Sequence, residues 1–258
     1  MFINTDSDYV KCNFGVGYET SSGLSTGKLD VFFSETKDLG SRFSELRNFI
    51  TSDEQLRADK FHFDNNRETF VVCHAILRLV LARCLNINPL DILYKYGINK
   101  KPSLMGNSIH FNVSHTKDAF AFAVSRDFYV GIDLEEIDQR VDIHSIVKSY
   151  FSLKEREYIL KSEVDMKNRF FLLWTRKEAL LKAFGTGIMD DLSQIEVSGK
   201  ENFINREIFS NLSFDYGINN MFLYSEKILK YYVSVATPYK ASINFYHLDP
   251  DSILSYLE

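Results

Sequence analysis

Proline, glycine and cysteine are scarce in this 258-residue chain, and their scarcity excludes several classes of protein. Four prolines and twelve glycines are too few for a long flexible linker or a low-complexity tract. The three cysteines, Cys12, Cys73 and Cys84, have neither the spacing of a metal site nor the even number of a disulfide framework. We therefore expect reduced thiols, as in a cytoplasmic protein.

Long apolar runs and a strong net charge are also missing. The N-terminus has no basic leader followed by an apolar block, and the most apolar stretch, residues 70–85, is interrupted by His74, Arg78 and Arg83. The formal net charge of −5 argues against a protein that wraps around nucleic acid. We expect a soluble cytoplasmic protein with neither a membrane nor a nucleic-acid partner.

The patterns that are present repeat along the chain. A strand, a shorter helix, a long helix and a closing strand are predicted in the first half, and the same order recurs about 100 residues later. The two series are 29–33, 53–63, 66–85 and 119–125, then 130–134, 153–161, 168–184 and 231–236. The self-similarity favours two related lobes, residues 1–125 and 126–258, with residues 1–27 as an uncertain lead-in and a ligand cleft between the lobes. The alternative is that amphipathic patterns in the two halves match by chance.

Two acidic residues, Asp133 and Glu135, follow one another at an interval of two in an alternating apolar segment. Residues two apart on a strand point to the same side, so both carboxylates face one spot. Such a pair repels unless a cation lies between its members, and oxygen ligands suit Mg²⁺. The alternative is that the strand ends in solvent and both acids are hydrated.

A further acid, Glu178, lies four residues before Lys182 on the long helix predicted at 168–184, so the two share one face of that helix. Glu178 is a candidate third oxygen ligand or general base, and Lys182 a candidate phosphate partner. The spacing alone favours a surface ion pair, with the neighbouring Lys177 solvated, because such pairs are routine on helices.

A third cluster, Ser114, His115 and Thr116, ends the strand predicted at 109–113. Its side chains can donate hydrogen bonds to an anion. No Gly-x-Ser-x-Gly segment surrounds Ser114, and adjacent strand residues face opposite ways, which argues against serine-hydrolase chemistry. Scattered basic residues upstream would suit a small polyanion. They are Arg57, Lys60, Arg67, Lys100 and Lys101.

Several of these segments occur together in a fixed order: 57–61, 77–78, 96–102, 111–116, 130–135, 151–152 and 173–182. In that order they resemble the 4′-phosphopantetheinyl transferases of the Sfp type. The chain departs from that family in two places. Residues 98–100 are inserted within the compact Tyr-Gly-Lys-Pro segment, so that Lys100 or Lys101 can be the matching lysine, and Thr116 stands where serine is usual.

The resemblance implies two similar α+β lobes around a pseudo-two-fold axis, an active site at their interface, and a monomer. It implies Mg²⁺-dependent transfer of the phosphopantetheine arm from coenzyme A to a serine of an apo acyl or peptidyl carrier protein, with release of adenosine 3′,5′-bisphosphate. The implied Mg²⁺ ligands are Asp133, Glu135 and Glu178, and the implied catalytic residues are Glu178, Lys182 and His115. The implied coenzyme contacts are Arg57, Lys60, Arg67, Lys100, Lys101, Pro102, Ser114, His115, Thr116 and Lys182.

Two other functions use the same residues. A Mg²⁺-dependent phosphohydrolase or nuclease would also need three acids and a lysine, although it has no need of the upstream basic set. A non-catalytic module that binds coenzyme A or a carrier protein would be expected to lack one of the acids or Lys182, and all four are present.

Overall fold

The fold is described from a computed structural model of the chain. The residues described are 27–97, 99–106, 109–187, 192–199, 201–203 and 220–249. The predicted lead-in therefore lies, except for Gly27, outside the described residues, as do Cys12, Ile98 and the C-terminal tail from residue 250. Within the described ranges no helix has the length and apolarity needed to cross a membrane.

The described residues form ten strands and seven α-helices, joined by loops and short 3-10 turns. The strands are β1 (Lys28–Glu35), β2 (Tyr94–Tyr96), β3 (Pro102–Leu104), β4 (His110–His115), β5 (Ala119–Ser125), β6 (Gly131–Glu136), β7 (Glu201–Phe203), β8 (Asn220–Ile228), β9 (Tyr231–Thr237) and β10 (Ser242–His247). The helices are α1 (Thr36–Leu39), α2 (Phe43–Leu46), α3 (Ser52–Ala58), α4 (Asp64–Leu85), α5 (Ile143–Tyr150), α6 (Leu153–Leu160) and α7 (Met166–Phe184).

Two four-stranded sheets have related topologies. The first has the order β10-β1-β5-β4 and the second the order β6-β9-β8-β7. In each sheet the earliest strand pairs antiparallel with the second strand of a later hairpin, β1 with β5 and β6 with β9. A long helix lies between these partners in the chain, α4 in the first case and α7 in the second. This shared order agrees with the repeat predicted from the sequence.

Each sheet buries both of its faces. One face of the first sheet, with Phe32, Phe120 and Phe122, packs in a core with the apolar residues of α4. The other face of the first sheet packs against the second sheet. The apolar cluster between them includes Val31 of β1 and Ile132 of β6. Because both faces are covered, β5 is buried along its whole length, as expected for a continuous apolar strand.

The mixed helix-and-sheet class predicted from the sequence is confirmed, whereas the pseudo-two-fold axis and the division at residue 125 remain predictions. Strand β10 lies well beyond that division, yet it pairs in parallel with β1 in the first sheet. The predicted strand 119–125 coincides with β5, and the predicted long helices differ from α4 and α7 by two residues at their starts. Between β1 and α3, residues 40–49 form a series of short turns around α2.

Candidate active site

The site is built where α7 crosses β6 at very short range. Gly131 makes this approach possible, because a Cβ atom there would lie 1.9 Å from the carbonyl oxygen of Ala179 and 2.3 Å from the nitrogen of Ala183. Asp133 is the next residue on the same side of β6, since side chains alternate along a strand. The crossing therefore brings Asp133 to the face of α7 that carries Lys182.

Asp133, Ser114 and Lys182 form one hydrogen-bonded group. The Lys182 ammonium donates to Asp133 Oδ1 at 2.6 Å and to Ser114 Oγ at 2.8 Å. Ser114 Oγ in turn donates to the same Asp133 oxygen at 3.0 Å. The other oxygen, Asp133 Oδ2, is buried and has no hydrogen-bond partner among the described residues. A buried carboxylate oxygen left open in this way is a position that a cation or a donor can satisfy.

Two more carboxylates of the predicted set, those of Glu135 and Glu178, line the same cleft, which has a volume of about 520 Å³. Burial and the nearby charge of Asp133 raise the pKa of Glu135 to about 7, although its Oε1 accepts a hydrogen bond from Trp174 Nε1 at 3.2 Å. Burial and Asp133 also raise the pKa of Glu178, against the opposing effect of Lys182. The negative charges of Asp133, Glu135 and Glu178 thus disfavour one another. Two further acids of the cleft have basic partners, Glu136 with Lys230 and Asp138 with Arg140.

The three acids fit a divalent cation by their chemistry, because carboxylate oxygens are the ligands Mg²⁺ prefers. As they stand, no three histidine, cysteine, aspartate or glutamate side chains within the described ranges are grouped as a metal site. The ammonium of Lys182 forms an ion pair with the carboxylate of Asp133 and neutralises its charge. The open Oδ2 of Asp133 and the raised pKa values of Glu135 and Glu178 are the observations that favour a cation here.

The side of the cleft that was predicted to bind an anion comes from the end of β4. Ser114, His115, Thr116 and Lys117 all line the cleft. Burial, followed by the charge of Lys182, lowers the pKa of His115, and Arg57 adds a smaller effect of the same sign. At neutral pH the imidazole of His115 is therefore neutral, and it can donate one hydrogen bond. Arg57 is exposed, with its guanidinium over the ring of Phe70 at 5.1 Å.

A second, smaller cavity of about 250 Å³ shares Glu178 and Lys182 with the main cleft and contains Lys100, Lys101 and Pro102. The Lys101 ammonium donates to two main-chain oxygens, those of Val130 and Ala183, and burial lowers its pKa to about 8. Lys100 has a φ of +61°, a conformation that favours glycine.

Three predicted coenzyme contacts, Arg57, Lys60 and Arg67, line neither of these two cavities. Lys60 is exposed beyond the end of α3, and Arg67 forms an ion pair with Asp64 one turn earlier in α4. Their roles remain predictions. Of the predicted set, the structure thus brings ten residues to the two cavities: Lys100, Lys101, Pro102, Ser114, His115, Thr116, Asp133, Glu135, Glu178 and Lys182.

The sequence patterns missed two residues that support the site. Asn112 is buried in β4, and its Oδ1 accepts a hydrogen bond from the backbone N–H of Ile132 at 2.8 Å, which joins the edge of the first sheet to β6. Lys177, predicted to be solvated, is fully buried in an ion pair with Glu155 at 2.9 Å. The prediction of a solvated Lys177 was wrong because its ammonium faces the protein interior.

Comparison with known proteins identifies the family. A model described as the 4′-phosphopantetheinyl transferase superfamily matches residues 129–217, and one described as the N-terminal part of a 4′-phosphopantetheinyl transferase matches residues 37–127. The chain is 34% identical over 163 residues to the 4′-phosphopantetheinyl transferase HetI of Nostoc sp., covering 61% of this chain and 68% of that protein. The chain belongs to the 4′-phosphopantetheinyl transferase superfamily.

Two other transferases of the family are also similar to the chain over part of its length. The transferase psf-1 of Bacillus pumilus is 29% identical over 161 residues, covering 62% of this chain and 68% of its own length. The transferase gsp of Aneurinibacillus migulanus is 37% identical over 116 residues, covering 44% and 46%. The family and the enzyme class predicted from the sequence are thereby confirmed. The superfamily match includes β6 and α7, the two elements that carry Asp133, Glu135, Glu178 and Lys182.

Proposed function

We propose that this phosphopantetheinyl transferase uses coenzyme A and Mg²⁺ to modify a serine of an apo acyl or peptidyl carrier protein. The observation that supports the proposal most directly is the composition of the cleft. Three carboxylates from β6 and α7 face hydrogen-bond donors from β4 and the ammonium of Lys182. Such a site matches a diphosphate held between a cation and basic or polar side chains.

The reaction forms and breaks one bond each at phosphorus. The serine oxygen of the carrier attacks the phosphorus that bears the pantetheine arm, and the bond from that phosphorus to the bridging oxygen breaks. Adenosine 3′,5′-bisphosphate leaves with the bridging oxygen, while the serine proton passes to the carboxylate of Glu178. The raised pKa of Glu178 suits a group that accepts this proton near neutral pH.

The remaining residues bind and orient. Lys182 can move from Asp133 to the phosphate oxygens, and His115 and Ser114 donate hydrogen bonds at the same end of β4. Asp133, Glu135 and Glu178 would hold Mg²⁺, which when bound neutralises the charge on the diphosphate. Lys100, Pro102 and Thr116 belong with Arg57, Lys60 and Arg67 to the proposed coenzyme surface. We also propose a monomer whose two lobes are related by a pseudo-two-fold axis.

Transfer to apo carrier proteins tests the function. The protein is incubated with Mg²⁺, coenzyme A and a panel of acyl and peptidyl carriers, and the carriers are weighed by mass spectrometry. We expect at least one carrier to gain the mass of the phosphopantetheine arm, and Asp133→Asn to abolish the gain while circular dichroism shows a folded protein. The exposed Asp53→Asn serves as the matched control.

The same assay separates this function from its alternatives. Release of adenosine 3′,5′-bisphosphate in the absence of any carrier would indicate a phosphohydrolase instead. Binding of coenzyme A with neither transfer nor release, in a folded protein, would indicate a binding module. Either result would contradict the proposal.

A further inference from the structure

The loop between β2 and β3 contacts the C-terminal end of α7 through two side chains. Asn99 donates from Nδ2 to the carbonyl oxygens of Gly185 at 2.8 Å and Thr186 at 2.7 Å. Lys101 donates from Nζ to the carbonyl oxygen of Ala183 at 2.9 Å. The last carbonyl groups of a helix have no partner within the helix, so these donors satisfy oxygens at a terminus that also favours positive charge.

Lys101 also connects α7 to the neighbouring strand. Its ammonium donates to the carbonyl oxygen of Val130 at 3.1 Å, immediately before β6 begins. One side chain is therefore bound to the end of the helix that carries Lys182 and to the start of the strand that carries Asp133. Any loss of these contacts would loosen the register of the two elements at the point where the site depends on it.

Packing around the loop is close as well. A Cβ atom at Gly185 would lie 3.3 Å from Cδ of Lys101, and one at Gly187 would lie 3.5 Å from Cγ of Asn99. Both loop residues also line the small cavity that shares Glu178 and Lys182 with the main cleft. The loop thus reaches the site both through hydrogen bonds and through the cavity wall.

We propose that Asn99 and Lys101, which we call the α7 latch, are positioning residues that hold Lys182 and Glu178 in place against Asp133. Asn99 lies in the segment that this chain has in addition to the compact family motif. The proposal rests on the proposed transferase function and goes beyond it, because it gives Lys101 a role other than direct contact with the coenzyme. A positioning residue affects the rate of the chemical step, whereas a coenzyme contact affects affinity.

Steady-state kinetics distinguish these roles. We expect Asn99→Ala and Lys101→Met each to lower kcat by about 10-fold to 100-fold, because a small displacement of catalytic groups has effects of that size. The KM for coenzyme A is expected to change by less than about threefold, since ground-state binding is not the affected quantity. Lys101→Arg, which retains several donors, is expected to recover most of kcat. Lys95→Met, on the exposed side of the same hairpin, is the control expected to leave kcat unchanged.

Hydrogen exchange provides a readout that does not depend on activity. The N–H groups of Gly185 and Thr186 both donate to the carbonyl oxygen of Leu181, and we expect their exchange to accelerate in Asn99→Ala and Lys101→Met but not in Lys95→Met. If the wild-type protein transfers nothing, the proposed function fails. Hydrogen exchange alone then still tests whether the α7 latch holds the end of α7. A raised KM with unchanged kcat in Lys101→Met, or unaltered exchange together with unaltered kcat, would overturn the latch.

Discussion

Lys177 and Glu155 form an ion pair in which neither side chain has any exposed surface. Glu155 also accepts hydrogen bonds from the backbone N–H groups of Ser152 and Val197, so its carboxylate is fully engaged. Removing the ammonium would leave that carboxylate buried without its counter-charge. We expect Lys177→Met to lower the free energy of unfolding by about 3–5 kcal/mol, measured by urea denaturation.

The exposed Lys161 at the C-terminal end of α6, the helix that carries Glu155, supplies the comparison for Lys177. Lys161→Met is expected to change the free energy of unfolding by less than about 0.5 kcal/mol. Equal effects of the two substitutions would mean that the buried pair contributes no more than a surface charge.

His74 makes the stability of the fold depend on pH. Burial lowers its pKa from an ordinary value of 6.5 to about 4, despite the opposing charge of Glu54. Between these values the unfolded chain binds a proton that the folded chain does not. Stability is therefore complete above pH 6.5 and decreases as the pH falls toward 4, by on the order of 3 kcal/mol from this group.

Urea denaturation at a series of pH values isolates that contribution. His74→Gln does not titrate and retains a donor that can reach the carbonyl oxygen of Phe70, which now contacts Nδ1 of the imidazole at 2.8 Å. We expect the pH dependence between 6.5 and 4 to be shallower in the variant. Parallel curves for the two proteins would assign the acid sensitivity to other groups, such as Glu54, whose pKa is lowered by Arg78 against the effect of burial.

Residue types and spacing were sufficient to predict most of the cleft. Asp133 and Glu135 at an interval of two, Glu178 and Lys182 at an interval of four, and the polar end of β4 all line it. Spacing could not predict that Lys177 is buried, because adjacent helix positions differ in environment only through tertiary packing. It also could not predict the contact between Lys182 and Asp133, which depends on how closely α7 crosses β6.

At the level of elements, the crossing of β6 by α7 depends on Gly131. A Cβ atom there would overlap with main-chain atoms of α7, and main chain cannot move aside as a flexible side chain can. We expect Gly131→Ala to reduce transfer by about 100-fold, through displacement of Lys182 and Glu178, and to lower the free energy of unfolding by about 2 kcal/mol.

Gly40→Ala is the matched control for Gly131→Ala. Gly40 has helical dihedral angles, with φ −60° and ψ −31°, and a Cβ atom there would meet nothing within 4 Å. The control is expected to keep full activity with unchanged or slightly higher stability. Normal activity in Gly131→Ala would show that the crossing tolerates a wider separation.

The loop carrying the α7 latch contains a strained residue, Lys100, at a φ of +61°. Lys100→Gly and Lys100→Ala both remove the ammonium, and only the glycine variant relieves the backbone. We therefore expect the glycine variant to be more stable than the alanine variant by about 0.5–1 kcal/mol, measured by thermal denaturation. An alanine variant as stable as the glycine variant would show that the loop relaxes to a negative φ.

Long periodic segments were predictable as elements, whereas their ends and the shorter elements were less so. The helix predicted at 53–63 is α3, which ends at Ala58 and has Thr51 as its N-cap, in a capping box with Glu54. Ser52 and Thr51 are both good caps, so only the position of Glu54 three residues later distinguishes them. Strand β10 was not predicted, because its pairing with β1 joins residues more than 200 positions apart.

At the level of the whole molecule, the cluster between the two sheets predicts that they unfold together. Trp174 is the one tryptophan of the chain and lies on α7, so its fluorescence reports on the second sheet and its helix. Tyr246 lies on β10 of the first sheet and stacks on Phe32. We expect Tyr246→Ala to lower the denaturation midpoint equally by Trp174 fluorescence and by circular dichroism.

The exposed Val164→Ala is the control for Tyr246→Ala, with no expected change in either midpoint. A circular-dichroism transition that shifts while the Trp174 transition stays in place would mean that the two sheets unfold independently. It would also remove the support that the shared cluster gives to a rigid cleft between them.

The parallel pairing of β10 with β1 affects how the protein can be made. During translation β1 emerges more than 200 residues before β10, the strand that covers its outer edge. Until then the edge of β1 presents open backbone groups, which can pair with other chains. The N-terminal half expressed by itself should therefore aggregate, and a nascent chain stalled before residue 242 should need a chaperone to remain soluble.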